Sequence, residues 1–224
     1  MEENKNLESS LFESLRDNAT ELAGEIGELT IDQFIDNDVL KEIPFFSLFY
    51  KSVKTIQGVR NALFAMKVYK FMREFGQIKQ KDKDKFLGRV MASKKEKTKV
   101  GQVLIMILDK IDDLDKTQII ANIFAAYIKE DISISEFIHL SSIVQNAFLD
   151  YLLIFGKAQN YKDLDFEIQA NLASIGIMIP VVMDIESIYG NSVNPQRNDN
   201  MIVYVASKVG QKIKKYAFIE DGTC

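Results

Sequence analysis

From position 7 to 155, apolar residues recur at steps of three and four with little to interrupt them, and that pattern leaves packed helices as the architecture. Three prolines and eleven glycines are scattered over 224 residues, so few sites force a helix to stop. Leu7, Leu11, Leu15, Leu22 and Ile26 predict one amphipathic helix over 7–26 with an acidic outer face. A shorter segment follows over 32–35. Pro44 suits the first turn of a helix, where its missing N–H loses no partner. Phe45, Phe49, Val53, Ile56, Val59, Leu63 and Met66 extend that helix over 44–75, with Gly58 and Asn61 as its weakest points and Gly76 as its stop. Phe86, Leu87, Val90 and Met91 make a short apolar set, and Val100, Val103, Leu104, Ile107 and Leu108 mark a helix ending near Asp112. Asp115 is the expected N-cap of a helix through Ile119, Ile120, Ile123, Phe124 and Tyr127. Ser133 and Glu136 form a capping box for a helix that reaches Phe155, with or without a break near Asn146. Six to eight helices are expected over 7–155.

The tail differs. A helix over 166–175 ends at Gly176, and two β-branched runs, 177–185 and 201–205, flank a polar loop in the manner of a hairpin. Val209, Ile213 and Tyr216 define a last amphipathic helix surrounded by Lys208, Lys212, Lys214 and Lys215. The expected class is therefore mainly α. A multi-helix bundle over 1–158 carries a helix–hairpin–helix element over 159–224 packed on it.

Charge is distributed unevenly. Residues 1–42 hold twelve acidic and three basic side chains, a net of −9, whereas 43–100 hold fifteen basic and four acidic, a net of +11. Such blocks attract each other within a fold or present one sign to an outside partner. Within the basic block, Lys79, Lys81, Lys83, Lys85, Arg89, Lys94, Lys95, Lys97 and Lys99 are the candidate polyanion-binding residues, because each cation set on a phosphate releases counterions. Phe86 is the only aromatic residue among them, which offers little stacking for single strands. Phe45, Phe46, Leu48, Phe49 and Tyr50, with Lys51 and Lys54, admit a membrane-interface reading beside the favoured core-helix one.

No catalytic constellation stands out. His139 is the sole histidine and the only cysteine is Cys224, so no Cys/His metal cluster can be assembled and a Ser–His triad would have to use His139. Ser135, Ser141 and Ser142 lie near His139 without a nucleophile-elbow sequence, and no phosphate-cradling glycine loop occurs. Asp109, Asp112, Asp113 and Asp115 are the best cation candidates but lack the register of a calcium loop. Asp131, Ser133 and Ser135 alternate suitably, yet Glu136 and Ser142 occupy the places of the loop's Gly and Glu. Helix capping accounts for both clusters. The expectations are no catalytic residues, no metal ligands and no cofactor. The acidic, polar start MEENKNLESS predicts no secretory signal, the longest uncharged run (168–183) is too short to span a bilayer, and a lone thiol favours the cytoplasm.

The run IPFFSLFYKSVKTIQGVRNALFAMKVYKFM, with KVGQVLIMILDKIDDLDKTQIIANIFAAYIKEDISISEF, resembles small bacterial helical proteins of the abortive-infection alpha family and TerB-like tellurite-resistance bundles, over about residues 42–150. That resemblance implies a helical bundle in a phage-defence or stress system. TerB-like domains are associated with metal-binding acids, for which only Asp109, Asp112, Asp113 and Asp115 correspond here, and no ligand is carried over. In the tail, FEIQANLASIGIM and YVASKVGQKI resemble the recognition helix and closing helix of a winged-helix module, a kind that binds DNA or protein. Its presumed recognition helix carries Asp165 and Glu167 and no cation, which favours protein contact over the major groove. The functional expectation is a non-enzymatic bacterial interaction protein with a protein partner or self-association. Nucleic acid bound through 79–99 and peripheral attachment to anionic membrane are the alternatives.

Overall fold

The computed structural model describes residues 7–16, 19–48, 56–184 and 200–218. The chain divides into two compact units, Met1–Ser141 and Ser142–Cys224. Among the described residues, twelve α-helices accompany one two-stranded antiparallel sheet near the C-terminus. The mainly helical class with a small hairpin follows directly from the periodicity of the chain.

The first unit contains α1 (Leu7–Arg16), α2 (Ala19–Ile26), α3 (Ile31–Asp36), α4 (Asp38–Glu42), α5 (Ile56–Gly76), α6 (Gln80–Ala92), α7 (Lys94–Lys110) and α8 (Lys116–Ile128), and α9 (Ile134–Asn146) begins in it. Ten α-helices occupy 7–157 among the described residues, more than the six to eight expected, because polar caps cut what periodicity alone joins. The Thr30 hydroxyl accepts from Gln33 N while Thr30 N donates to the Gln33 side chain, which starts α3. Asn37 then starts α4 by accepting from Leu40 N. The expected helix over 7–26 is two helices, on either side of residues 17–18, which lie outside the described residues.

Pro44 does not open the long helix. Residues 44–45 form a turn before a short 3-10 segment, Phe46–Leu48, and the long helix α5 runs unbroken through Gly58 and Asn61. Phe45 and Phe46 are both fully buried, and proline's fixed φ suits this turn as well as a first helical turn. The rest of the predicted segment, 49–55, lies outside the described residues.

Aromatic rings organise this core. Phe46 meets Phe34 and Phe45 edge-on at 5.5 and 5.6 Å, and Phe124 of α8 contacts Phe71, Phe86 and Phe137 at 5.4, 5.4 and 5.2 Å. Fully burying each ring contributes about 1.5–3 kcal/mol. The α1 helix lies close on α7, since a Cβ on Gly101 would stand 2.8 Å from Glu8 Cβ. Tyr69 of α5 donates to the Ala23 and Gly27 carbonyls at 3.1 and 2.6 Å, closing the end of α2, where Gly27 takes φ +78. Tyr69→Phe leaves those acceptors without the phenol, and the expected loss is about 1–2 kcal/mol in a urea unfolding curve.

The second unit holds α10 (Leu149–Lys157), α11 (Phe166–Ser174), β1 (Met178–Asp184), β2 (Asn200–Ala206) and α12 (Lys208–Ala217). Gly176 ends α11 with φ +82, and Ile177 N returns to Leu172 O at 2.9 Å. The strands pair from Met178↔Ala206 to Asp184↔Asn200. Ser207 caps α12 by accepting from Gly210 N at 2.9 Å. Among the described residues, no single helix is long and apolar enough to cross a membrane.

Candidate functional site

The nine cations of 79–99 fall into three groups. Lys83 is buried, 6% exposed, and its ammonium donates to the Gly76 carbonyl at 3.1 Å, where it closes the end of α5. Lys85 and Arg89 are committed to one acid: Glu130 accepts from both at 2.8 Å. Arg89 also lies 3.4 Å from Glu96 and stacks over Phe86 and Tyr127 at 5.7 and 5.5 Å. Glu130 itself has φ 65, in the left-handed position after α8, where glycine is usual. Its two cationic partners offset that backbone cost, and they hold the Glu130 carboxyl below the usual range, Lys85 contributing most. These three residues are fastenings of the fold.

The remaining six are outward. Lys79 and Lys81 stand exposed at the start of α6. Lys94, Lys95, Lys97 and Lys99 occupy the first two turns of α7, Lys97 half-buried and the other three exposed. Ser93 caps that helix by accepting from Glu96 N at 3.3 Å. With 100° between successive residues, Lys97 falls at the azimuth of buried Leu104 and Leu108 and is half-buried, while Lys94, Lys95 and Lys99 stand exposed around the rest of the helix. Glu96 is their only acidic neighbour in the first turn, and it is turned to Arg89. No ion pair joins any of the four to a described residue within 4.0 Å. Cations at a helix N-terminus oppose the macrodipole, each at about 0.3–1 kcal/mol. This end of α7 therefore concentrates positive charge that no described carboxylate pairs with.

The acidic cluster is dispersed among structural roles. Asp115 occupies the N-cap position of α8 without capping it by its side chain, and its carboxylate pairs instead with Lys70 at 3.0 Å. Asp113 accepts from Asp115 N at 2.8 Å, and Asp112 pairs with buried Lys116 at 2.7 Å. Asp109 gives its backbone carbonyl to Lys67, which also reaches Ile111 O across the end of α7. Among the described residues, no three His, Cys, Asp or Glu side chains converge as metal ligands would. His139 is exposed on α9. The Ser133–Glu136 box forms as expected, with Ser133 Oγ accepting from Glu136 N at 3.2 Å.

The Lys116 hydrogen bond holds the Asp112 carboxyl below its ordinary value of 3.8. Because the folded value is depressed, this pairing stabilises the fold above about pH 4 and is lost as pH falls through the lower folded value. Asp112→Asn is expected to flatten the fall in stability below about pH 4, read from urea midpoints across pH.

In the second unit, Lys214 donates to Ala158 O and lies 5.0 Å over the Tyr161 ring, while Lys208, Lys212 and Lys215 are exposed on α12. One face of the hairpin is apolar and outward. Val182 opposes Ile202 and Pro180 opposes Tyr204, and Phe166 sits edge-on to Tyr204 at 5.9 Å. Phe166, Val182 and Ile202 are 71%, 64% and 58% exposed.

The burial of Lys83 was readable from its register with Phe86, Leu87 and Val90, whereas the pairing of Lys85 and Arg89 with Glu130 is set by tertiary packing and had no signal in spacing. No family model, curated protein or solved structure matches the chain.

Proposed function

We propose that this chain is a non-enzymatic interaction protein that docks another macromolecule, and that its docking surface is the lysine-bearing start of α7, facing nucleic acid. One observation carries the reading: Lys94, Lys95, Lys97 and Lys99 gather at the positive end of a helix without an acidic partner among the described residues. Phosphates there would gain from four cations and the macrodipole together. No large apolar side chain of 79–99 is exposed, which supports a hydrated polyanion over insertion into a membrane interface. With no aromatic platform beside the lysines, the contact is with backbone phosphates and is indifferent to base sequence. The likeness of residues 42–150 to abortive-infection alpha and TerB-like proteins supports a cytoplasmic role in bacterial defence or stress. The test is fluorescence anisotropy of a labelled duplex titrated with the whole chain at low salt. Saturable binding, equal for unrelated sequences, supports the reading, and a flat titration refutes it.

A second reading rests on the hairpin. The stripe Phe166–Tyr204–Pro180–Val182–Ile202 is a continuous outward apolar surface of the kind that protein contacts cover, and a second copy of the chain is the proposed occupant. Sedimentation velocity then shows a dimer for the wild type and a monomer for Val182→Asp/Ile202→Asp. A wild type that stays monomeric at every concentration removes this reading.

A further inference from the structure

A cleft of about 360 Å³ opens in the first unit between the start of α2 and one face of α6. Its lining combines exposed charged side chains with buried ones. Arg16, Glu21 and Asp84 stand exposed at the rim, and Asp84 is held by the Gln80 amide at 2.7 Å. Inside lie Lys83 and Thr20, 6% and 5% exposed. An ammonium has three donors, and the Gly76 carbonyl takes one of them. No carboxylate of a described residue lies within 4.0 Å of Lys83 Nζ. Buried Lys116, by contrast, has Asp112 at 2.7 Å. Among the described residues, the other two donors of the ammonium have no protein acceptor, and an anion in the cleft would supply one. The Thr20 hydroxyl has no hydrogen-bond partner among the described residues and borders the same space. Leu15, Leu87 and Met91 supply an apolar side. At about 30 Å³ for each water-sized group, the space holds roughly a dozen such groups.

We propose that this cleft binds a small amphiphilic anion, a carboxylate with a short alkyl or aromatic body. The head sits on the Lys83 ammonium and the Thr20 hydroxyl, and the body lies along Leu15, Leu87 and Met91. This site is separate from the lysines that begin α7, none of which lines it. Gly88 provides a clean test, because it borders the cleft and a Cβ built on it meets nothing within 4 Å. Gly88→Leu therefore sets a bulky apolar group at the border of the cleft without a clash at its Cβ.

Calorimetric titration of the whole chain with octanoate, octanol and octylammonium reads out the proposal. The wild type binds octanoate saturably and at least about tenfold more tightly than octanol, the difference one charged hydrogen bond makes, and octylammonium does not bind. Lys83→Met removes the preference for octanoate over octanol. Gly88→Leu abolishes binding of both while its circular dichroism matches the wild type and its unfolding midpoint is no lower. Equal binding of octanoate and octanol to the wild type, absence of saturable binding, or unchanged affinity in a folded Gly88→Leu variant would each overturn it.

Discussion

The combined substitution Lys94→Glu, Lys95→Glu, Lys97→Glu and Lys99→Glu is expected to abolish binding to duplex nucleic acid while making the protein more stable. The two effects come from one geometry. These side chains occupy the first two turns of α7, where the unsatisfied N–H groups carry positive partial charge. Lysine is the wrong sign there for stability, and glutamate is the right one. Replacing the first three, in the first turn, is expected to contribute about 0.3–1 kcal/mol each, with less from Lys99. The sum, roughly 1–3 kcal/mol, is readable as a higher urea midpoint. Meanwhile every phosphate contact proposed for this surface is turned into repulsion, so anisotropy with a labelled duplex stays flat. A reversal that lowered stability would show instead that the lysines are fastened in the fold. Binding that survived reversal would place the polyanion elsewhere, with Lys79 and Lys81 the next exposed cations.

Gly210→Ala is expected to be among the most damaging single-methyl changes in the second unit. In a helix interior such a change is ordinarily favourable by about 1 kcal/mol. Here a Cβ would overlap the Ile177 carbonyl oxygen. That oxygen is already fixed by Ser207 N at 3.0 Å, and Ile177 N is fixed to Leu172 O. Neither side of the contact is the end of a flexible chain, so α12 must shift from the hairpin or break its cap. The expected cost is about 3 kcal/mol or more, near the upper end for overpacking. Gly88→Ala is the matching control: it too lies within a helix, nothing stands within 4 Å of its new methyl, and a modest gain is expected. Parallel unfolding curves separate the two. A neutral Gly210→Ala would mean that α12 does not pack against Ile177 as closely as described.

Much of this architecture could be read from residue order. The helical stripe of Phe86, Leu87 and Val90, the Ser133–Glu136 box and the Gly176 stop are local signals, and each appears where its chemistry requires. Pro44 misled because a residue suited to the first turn of a helix is equally suited to a turn. Asp115 misled because a carboxylate at an N-cap position has a better use when Lys70 arrives from another helix. The basic block was legible as a charge excess and illegible as a surface. Spacing did set Lys83 apart, since it continues the stripe of Phe86, Leu87 and Val90, but it does not tell Lys85 and Arg89 apart from Lys94, Lys95 and Lys99. That distinction depends on Glu130, which meets the block only in three dimensions. The cleft beside Gly88 was hidden for the same reason, since an absent side chain leaves no mark in a pattern of apolar residues.

The dependence of duplex affinity on salt concentration tests the central claim most directly. If four lysines of α7 each displace counterions from one phosphate, log Kobs against log salt falls with a slope of about −3.6, the product of four contacts and about 0.9 per contact. The slope should lessen by about one for each lysine replaced by glutamine. A slope near zero, or one that the four replacements leave unchanged, would contradict the assignment of this surface.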